Sequence, residues 1–485
     1  MHTLKKLIKG TDIQIPAGQK TCVRGLSYDS RKLKKGDLFF AIPGPHGDGA
    51  AVIKEAFSKG ASAVVAEKHT NDRFKNNQSI LYSKDIRKSM AQIAEVFYGN
   101  PSKKITVIGV TGTNGKTTIT YLLEHILKSA GLSCGVIGTI NYRYHNRSLK
   151  ASTTTPQAID LSKLLNDMHT QHVRYVCMEV SSHALALQRV AGIRFRGAVF
   201  TNLTRDHLDY HKNMNNYFKA KRLLFAGSDM KFGIINTDNL YGKRLRTYCR
   251  FPVTTYGLKY KQDISAYDVH LSASGSRFIL VCGGKKYHLN LHLIGDYNVY
   301  NALAAAGAAL ALGVSPKHIV NGLGSIHGIP GRMEKLHTHK PFEVIVDYAH
   351  TNDALLNVLK TLQKLRPRRI LTVFGCGGDR DRKKRPIMGH IAVERSHHVW
   401  VTLDNPRTED PKRIMHDIVQ GIRKVKKHNY SIVYDRKAAI RQALSNASTG
   451  DVVLIAGKGH EKYQILKDKT ILFDDKQVAL DILQS

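Results

Sequence analysis

A compact apolar run, Ile105 to Val110, leads into Gly112-Thr113-Asn114-Gly115-Lys116-Thr117. Beyond it Ile119, Leu122, Leu123, Ile126, Leu127 and Ala130 recur at helical spacing. No other feature constrains the fold as strongly. A buried strand, a glycine-rich turn, an amphipathic helix ending at Gly131 and a second strand from Cys134 form a βαβ unit on a parallel sheet. At such a turn the loop N–H groups and the helix N-terminus attract phosphate. Gly112, Thr113, Asn114, Gly115, Lys116 and Thr117 are therefore expected to bind ATP. Lys116 would bridge its β- and γ-phosphates, and the Thr117 hydroxyl would ligate Mg²⁺. Val110 replaces the first glycine of the strict phosphate-loop pattern, so Gly112 supplies the flexibility of a shorter loop. The bland alternative, a glycine turn with an incidental lysine, is disfavoured by the strand before it and the helix after it.

Pattern changes divide the 485 residues into three α/β segments. Residues 1–100 carry short alternating strands and read as a small domain. Residues 101–330 hold the phosphate loop and buried strands at Tyr175–Val180, Gly197–Leu203 and Phe232–Asn236, with a hairpin turning on Gly283-Gly284. Residues 331–485 alternate strand and helix, which predicts a Rossmann-like doubly wound domain with ligands at the carboxyl ends of its strands. Six scattered cysteines, none in a CxxC, argue against disulfides or zinc and fit a reducing compartment. The longest apolar run is too short for a membrane span, which takes about 20 residues. A soluble, cytoplasmic protein is expected, with no membrane insertion. The 74 Lys+Arg against 38 Asp+Glu give a net charge of +36, but the excess is spread along the chain without a nucleic-acid reading element. A basic surface that attracts anionic substrates is the preferred reading, and no specific nucleic acid is expected.

A series of short blocks in a shared order carries a resemblance nearly end to end. They include Asp29-Ser30-Arg31, Thr153-Thr154-Thr155-Pro156 and Met178-Glu179-Val180-Ser181-Ser182-His183. Thr204-Arg205-Asp206-His207, Ala220-Lys221, Asn298-Val299-Tyr300-Asn301, Pro330-Gly331-Arg332 and Asp347-Tyr348-Ala349-His350 follow. Asp404-Asn405-Pro406-Arg407 and Gly457-Lys458-Gly459-His460-Glu461 close the series. The chain thus resembles the Mur ligase family. The resemblance implies a uridine-binding N-terminal domain, a central ATPase domain of P-loop type and a C-terminal amino-acid-binding domain. It also implies an ADP-forming amide-bond ligase of peptidoglycan precursor synthesis in the bacterial cytoplasm, and hence of cell-wall growth, shape and division. In that chemistry the γ-phosphoryl group of ATP passes to a carboxylate and an amine displaces phosphate from the acyl phosphate. Positioning and positive charge do the work, without a protein nucleophile.

The resemblance also implies roles for single residues. Lys116, Glu179, His207, Lys221 and Arg332 would be catalytic. Mg²⁺ would meet Thr117, Glu179, His207 and Lys221, the last as its carbamate, N6-carboxylysine. Carbamate formation needs a neutral amine and therefore burial. Asn301, Arg332 and Asp347 would complete the ATP site. Ser30, His46, Thr154, Thr155, Ser181, Gln188 and Arg189 would hold UDP-N-acetylmuramoyl-L-alanyl-D-glutamate. Arg385, Asp404, Asn405, Pro406, Arg407, Gly457 and Glu461 would bind meso-diaminopimelate. This amine differs from L-lysine by one carboxylate, which Arg407 can hold bidentately. Asn352 departs from the family, where proline is usual, and as a helix-start residue it is expected to cap. A monomer is expected. The alternatives are an L-lysine-adding relative, another Mur-type ligase or, remotely, a basic nucleic-acid-dependent P-loop ATPase.

Overall fold

The computed structural model describes residues 2–15, 20–43, 49–67, 80–259, 261–425 and 427–484. The chain divides into two compact units. One comprises Met1–Gly109, Ser133–Ala198 and Leu223–Lys231; the other comprises Val110–Leu132, Val199–Arg222 and Phe232–Ser485.

The first unit opens on a parallel sheet in the order Gly25–Ser27, Asp37–Phe40, Ala63–Glu67 and Ile80–Ser83. Alternation along these strands sends their apolar residues to two cores. Leu38, Phe40, Val65 and Leu81 pack with Ile86, Met90 and Ile93 of the helix Ile86–Phe97. Phe39, Val64, Ala66 and Ile80 pack with Ile53 and Ala56. The helix Ile86–Phe97 starts where Asp85 accepts a hydrogen bond from the Lys88 N–H. Further on, Cys134–Ile137 pairs in parallel with Tyr175–Glu179, and the hairpin Asn141–Tyr144/Arg147–Lys150 extends from it.

In the second unit the helix after the phosphate loop runs Lys116–Ser129, one residue earlier at each end than its apolar spacing indicates. It packs so closely on the helix Pro316–Gly324 that a Cβ on Gly322 would lie 2.4 Å from the Ile126 Cα. The expected hairpin forms between Gly275–Cys282 and Lys285–Leu291. Gly283 and Gly284 both have positive φ, the conformation that a two-residue turn needs to match strand twist.

The C-terminal part of this unit is a doubly wound sheet. Its parallel strands lie in the order Glu343–Asp347, Val452–Ala456, Ile370–Phe374, His398–Val401 and Tyr430–Ile432, with Glu334–Leu336 antiparallel at the edge. Apolar cores cover both faces. The helix Asn352–Lys364 is capped by Thr351, whose hydroxyl accepts from the Ala354 N–H at 3.1 Å. Asn352 is therefore not the cap expected from its sequence position. It occupies the first helical position, the slot that proline also fits, because the hydroxyl one residue earlier reaches the free N–H. Among the described residues no helix is long and apolar enough to cross a membrane, and all six cysteines are free.

Beneath the carboxyl ends of the strands lies a fully buried ion pair. The Arg436 Nε and Nη2 donate to the two Asp475 oxygens at 2.7 and 2.6 Å, and Nη2 also reaches the Ala456 carbonyl at 3.0 Å. Asp475→Ala leaves a buried guanidinium uncompensated. We expect a loss of about 3–5 kcal/mol in denaturant unfolding, against almost none for an exposed control such as Asp481→Ala.

Candidate active site

The phosphate loop takes its shape from the segment Thr201–Thr204. The Thr113 N–H donates to the Asn202 carbonyl at 2.9 Å, and the Asn114 N–H donates to the Asn202 Oδ1 at 3.0 Å. The Thr201 hydroxyl donates to the Asn114 carbonyl at 2.6 Å, and the Thr204 N–H donates to the Thr113 Oγ1 at 3.0 Å. Gly112 has φ of +149°, and a Cβ there would lie 1.8 Å from the Thr201 Oγ1. Gly115 has φ of +90° with the Asn301 Oδ1 where its Cβ would be, which brings a residue expected to bind ATP against the loop. Asn301 in turn donates to the Asn298 Oδ1 at 3.0 Å, so the amide is oriented from within its own helix, Asp296–Ala311.

Cations converge on this loop. The Lys116 Nζ donates to the Gly112 and Thr113 carbonyls at 3.0 and 2.8 Å, and the Lys221 Nζ donates to the same Gly112 carbonyl at 2.8 Å. Arg332 donates from Nη2 to the Thr117 hydroxyl at 3.0 Å and lies over the Tyr348 ring, 4.6 Å from its centroid. The Arg332 Nε is buried without a hydrogen-bond partner, a donor directed to nothing the protein supplies. Asp347, at the end of the strand Glu343–Asp347, accepts from the Met333 N–H at 2.6 Å. Burial raises its carboxyl to about 6, and the nearby Arg332 only partly offsets that rise.

Lys221 is fully buried on the helix Met214–Arg222, with its ammonium 4.7 Å from the ring centroid of Tyr217 one turn earlier. Burial, reinforced by the charge of Lys116, holds its pKa well below the ordinary lysine value. Tyr217 meets the Thr113 hydroxyl at 3.2 Å and the His207 ring edge-on at 6.2 Å. The His207 Nε2 stands 3.3 Å from the Asp206 carboxylate. Burial alone would raise Asp206, but His207, Lys384 and His350 outweigh it and hold the carboxyl at about 2. Lys116, Thr117, Lys221, Asn301 and Arg332 thus meet at one loop, while His207 stands behind it on Tyr217 and Asp347 beside Arg332. Among the described residues no group of three or more His, Cys, Asp or Glu side chains is placed to hold a metal by itself.

A second polar site lies at the carboxyl ends of the six-stranded sheet. The Asn405 Nδ2 donates to Glu461 at 2.9 Å, and Lys458 donates to the Asn405 Oδ1 at 3.1 Å. Gly457, with φ of +118°, leaves room for Asp404, whose Oδ2 would lie 2.8 Å from a Cβ there. Burial and the charge of Asp404 raise the Glu461 pKa, and Lys458 moderates the rise. Arg407 donates to the Gly378 carbonyl at 2.8 Å, and its pKa is lowered by burial and then by Arg380.

Arg385 does not face this pocket. It is fully buried, with Nη1 and Nη2 on Glu409 at 2.9 and 2.7 Å, Nη1 on Asp417 at 2.8 Å and Nη2 on the Gly377 carbonyl at 3.2 Å. It supports the Gly377-Gly378 wall from below. The guanidinium neighbouring Arg407 belongs to Arg380, which the sequence reading passed over. The two arginines sit five residues apart in one basic stretch, and only packing separates the exposed one from the buried one. Lys458, Tyr217 and Thr139 were also missed, the last despite following a glycine at a strand end.

The first unit gathers the residues expected to bind the UDP-sugar peptide. The Thr139 N–H and hydroxyl donate to the two Glu179 oxygens at 2.8 and 3.0 Å, and the Thr139 hydroxyl meets the Thr154 hydroxyl at 3.1 Å. Thr155 donates to the Glu179 carbonyl at 2.9 Å and accepts from the Ser181 N–H at 3.1 Å. Arg189 donates to the Thr155 carbonyl at 3.0 Å. Gln188 follows Leu187 in the left-handed conformation with φ of +57°. Ser30 lies beyond the strand Gly25–Ser27, and its carbonyl accepts from Lys59 at 3.0 Å. His46 lies outside the described residues.

The two arginines should separate in calorimetry. Arg385→Ala takes both Nη donors from the buried Glu409 carboxylate and leaves it only Arg382 and the Asp379 N–H, so we expect a loss of about 3 kcal/mol of stability. Arg380→Ala, at an exposed position, should leave the melting temperature unchanged.

Three family models match the chain: Mur ligase family, catalytic domain, over residues 23–98; Mur ligase middle domain, over 110–309; and Mur ligase, glutamate ligase domain, over 331–459. The UDP-N-acetylmuramoyl-L-alanyl-D-glutamate--2,6-diaminopimelate ligase of Solibacter usitatus is 45% identical over 472 residues, covering 97% of this chain and 95% of that protein. The ligase so named in Syntrophomonas wolfei is 44% identical over 485 residues, covering 99% of each. A solved structure of a ligase of that name is 32% identical, with a TM-score of 0.72 over 100% of this chain and 99% of that one. On these grounds the chain belongs to the Mur ligase family.

Proposed function

We propose that the protein joins meso-diaminopimelate to UDP-N-acetylmuramoyl-L-alanyl-D-glutamate at the expense of ATP, through an acyl phosphate, in peptidoglycan precursor synthesis. The observation that carries this reading is one compact unit with two sites. A cation-rich phosphate loop holds a desolvated lysine, and a pocket at the carboxyl ends of the sheet carries Arg407 beside Arg380. The near-full-length likeness to ligases of that name supports the same substrates.

Lys116, Arg332 and the N-terminus of the helix Lys116–Ser129 orient the γ-phosphoryl group and offset the charge that develops as it moves to the substrate carboxylate. Arg332 suits this because its buried Nε still lacks an acceptor. The Asn301 amide beside Gly115 is proposed to bind the nucleotide, with Asp347 on its ribose side. Asn405, Arg407 and Glu461 then orient the incoming amine, whose attack on the acyl phosphate expels phosphate. Arg407 and Arg380 meet the extra carboxylate that L-lysine lacks; with lysine, buried polar groups would stay unpaired. Arg385 is proposed to support this pocket from below.

The donor set also fits a divalent cation with oxygen ligands. Thr117 offers its hydroxyl, and the burial of Lys221 lowers its pKa, which favours the neutral amine that a carbamate needs. His207 and Glu179 are the further proposed ligands, on the strength of the family resemblance. When bound, Mg²⁺ supplies charge neutralisation of the phosphates. Thr154, Thr155, Ser181, Gln188, Arg189 and Ser30 are proposed to hold the UDP-sugar peptide. Domains at 1–100, 101–330 and 331–485 are proposed, a division supported by separate family models over 23–98, 110–309 and 331–459. A monomer in the bacterial cytoplasm suits a reaction that draws on ATP and a UDP-linked precursor.

Phosphate release tests the reaction. It is expected only when UDP-N-acetylmuramoyl-L-alanyl-D-glutamate and an amine are both present, with kcat/KM for meso-diaminopimelate exceeding that for L-lysine by at least about 100-fold. Equal rates with the two amines would sink the specificity; turnover stimulated by DNA or RNA instead would favour a nucleic-acid-dependent ATPase. The carbamate has its own test. Lys221→Ala should lose activity, and added short-chain carboxylic acids should restore part of it; full turnover in the unsupplemented variant rules the role out.

A further inference from the structure

The phosphate loop has one partner that neither the nucleotide chemistry nor the amine pocket accounts for. The Asn114 Nδ2, at the middle of the loop, donates to the Asp353 Oδ2 at 2.9 Å. The same oxygen accepts from the Thr204 hydroxyl at 3.2 Å. Thr204 itself belongs to the segment that clamps the loop, through its N–H to the Thr113 Oγ1. Asp353 stands in the first turn of the helix Asn352–Lys364, where a carboxylate is favoured by the helix dipole. Thr351 already serves as the cap, so the Asp353 side chain is not needed there and is directed to the loop.

We propose that Asp353 is a positioning residue that holds Asn114 and Thr204 together, so that the phosphate loop is preorganised only while this helix is docked on it. The inference rests on reading the loop as an ATP site. It ties nucleotide affinity to the part of the unit that carries the amine pocket, because Asp353 begins a helix whose Leu355, Val358, Leu359 and Leu362 pack on the six-stranded sheet.

Charge makes the proposal testable by sign. A carboxylate beside a polyphosphate site repels the nucleotide, so removing a mere bystander would tighten binding. Removing a positioning group loosens it. Calorimetric titration of the full chain with ADP and Mg²⁺ decides between them. Asp353→Ala and Asn114→Ala are each expected to weaken ADP by about tenfold, the scale of one hydrogen bond to a charged group. The double variant should lose no more than either single one. Asp353→Asn, which keeps an acceptor oxygen, should stay within about threefold of the parent. Melting temperatures should be alike across the set, and the KM for the amine should move less than the KM for ATP. Unchanged or tighter ADP binding by Asp353→Ala overturns the proposal, as do single losses that multiply in the double variant. Failure of the parent itself to bind ADP overturns the ATP reading, and this inference with it.

Discussion

Two side chains pack so closely on the phosphate loop that two of its positions have no room for a Cβ, and the candidate ATP site depends on that approach. Gly112 lies against Thr201 and Gly115 against Asn301, each where a Cβ would overlap an oxygen. The Thr113 and Asn114 N–H groups and the Asn114 carbonyl are bonded to Asn202 and Thr201, and the Thr113 hydroxyl accepts from the Thr204 N–H, which ties the loop down. A loop already held in shape costs little reorganisation when a phosphate arrives at the helix N-terminus, which is why rigidity here serves chemistry.

Desolvation is the second theme. Lys116, Lys221 and Arg332 lie around one loop, and repulsion among them is tolerated only because carbonyls, a hydroxyl and aromatic faces share their charge. Lys221 bears the largest burden, since it is fully buried and close to Lys116. The same burial that penalises its ammonium favours the neutral amine that carbamate chemistry requires. Nearby, Asp206 stays ionised, because His207 and then Lys384 outweigh the cost of its burial.

The amine pocket rests on ion pairs beneath it. Arg436 and Asp475 hold the carbonyl before Gly457, while Arg385, Glu409 and Asp417 hold the Gly377-Gly378 wall. Breaking one partner of such a pair leaves a buried charge, so these residues are constrained as strongly as those that would touch substrate. Their duty is shape: Arg407 donates to the Gly378 carbonyl, next to the Gly377 carbonyl that Arg385 holds.

Much of this was legible in the residues alone. Periodicity identified the strand, loop and helix at 105–130, and the hairpin turn at Gly283-Gly284 follows from the positive φ that paired glycines permit. The order of short motifs led to the Mur ligase family, and with it to Lys116, Lys221, Arg332 and Arg407 as candidates. Those features are local, because spacing and backbone freedom are properties of a few neighbouring residues. What the sequence left open was which of two like residues meets which partner. Arg380 and Arg385 share a basic stretch, and Thr351 and Asn352 share a helix start; only packing makes one arginine buried and one hydroxyl the cap. Asp353 reaches Asn114 across 239 positions of chain, a contact no periodicity encodes. The sequence by itself determined the elements and the kinds of groups available, while the tertiary structure decided their burial, their partners and hence their charge.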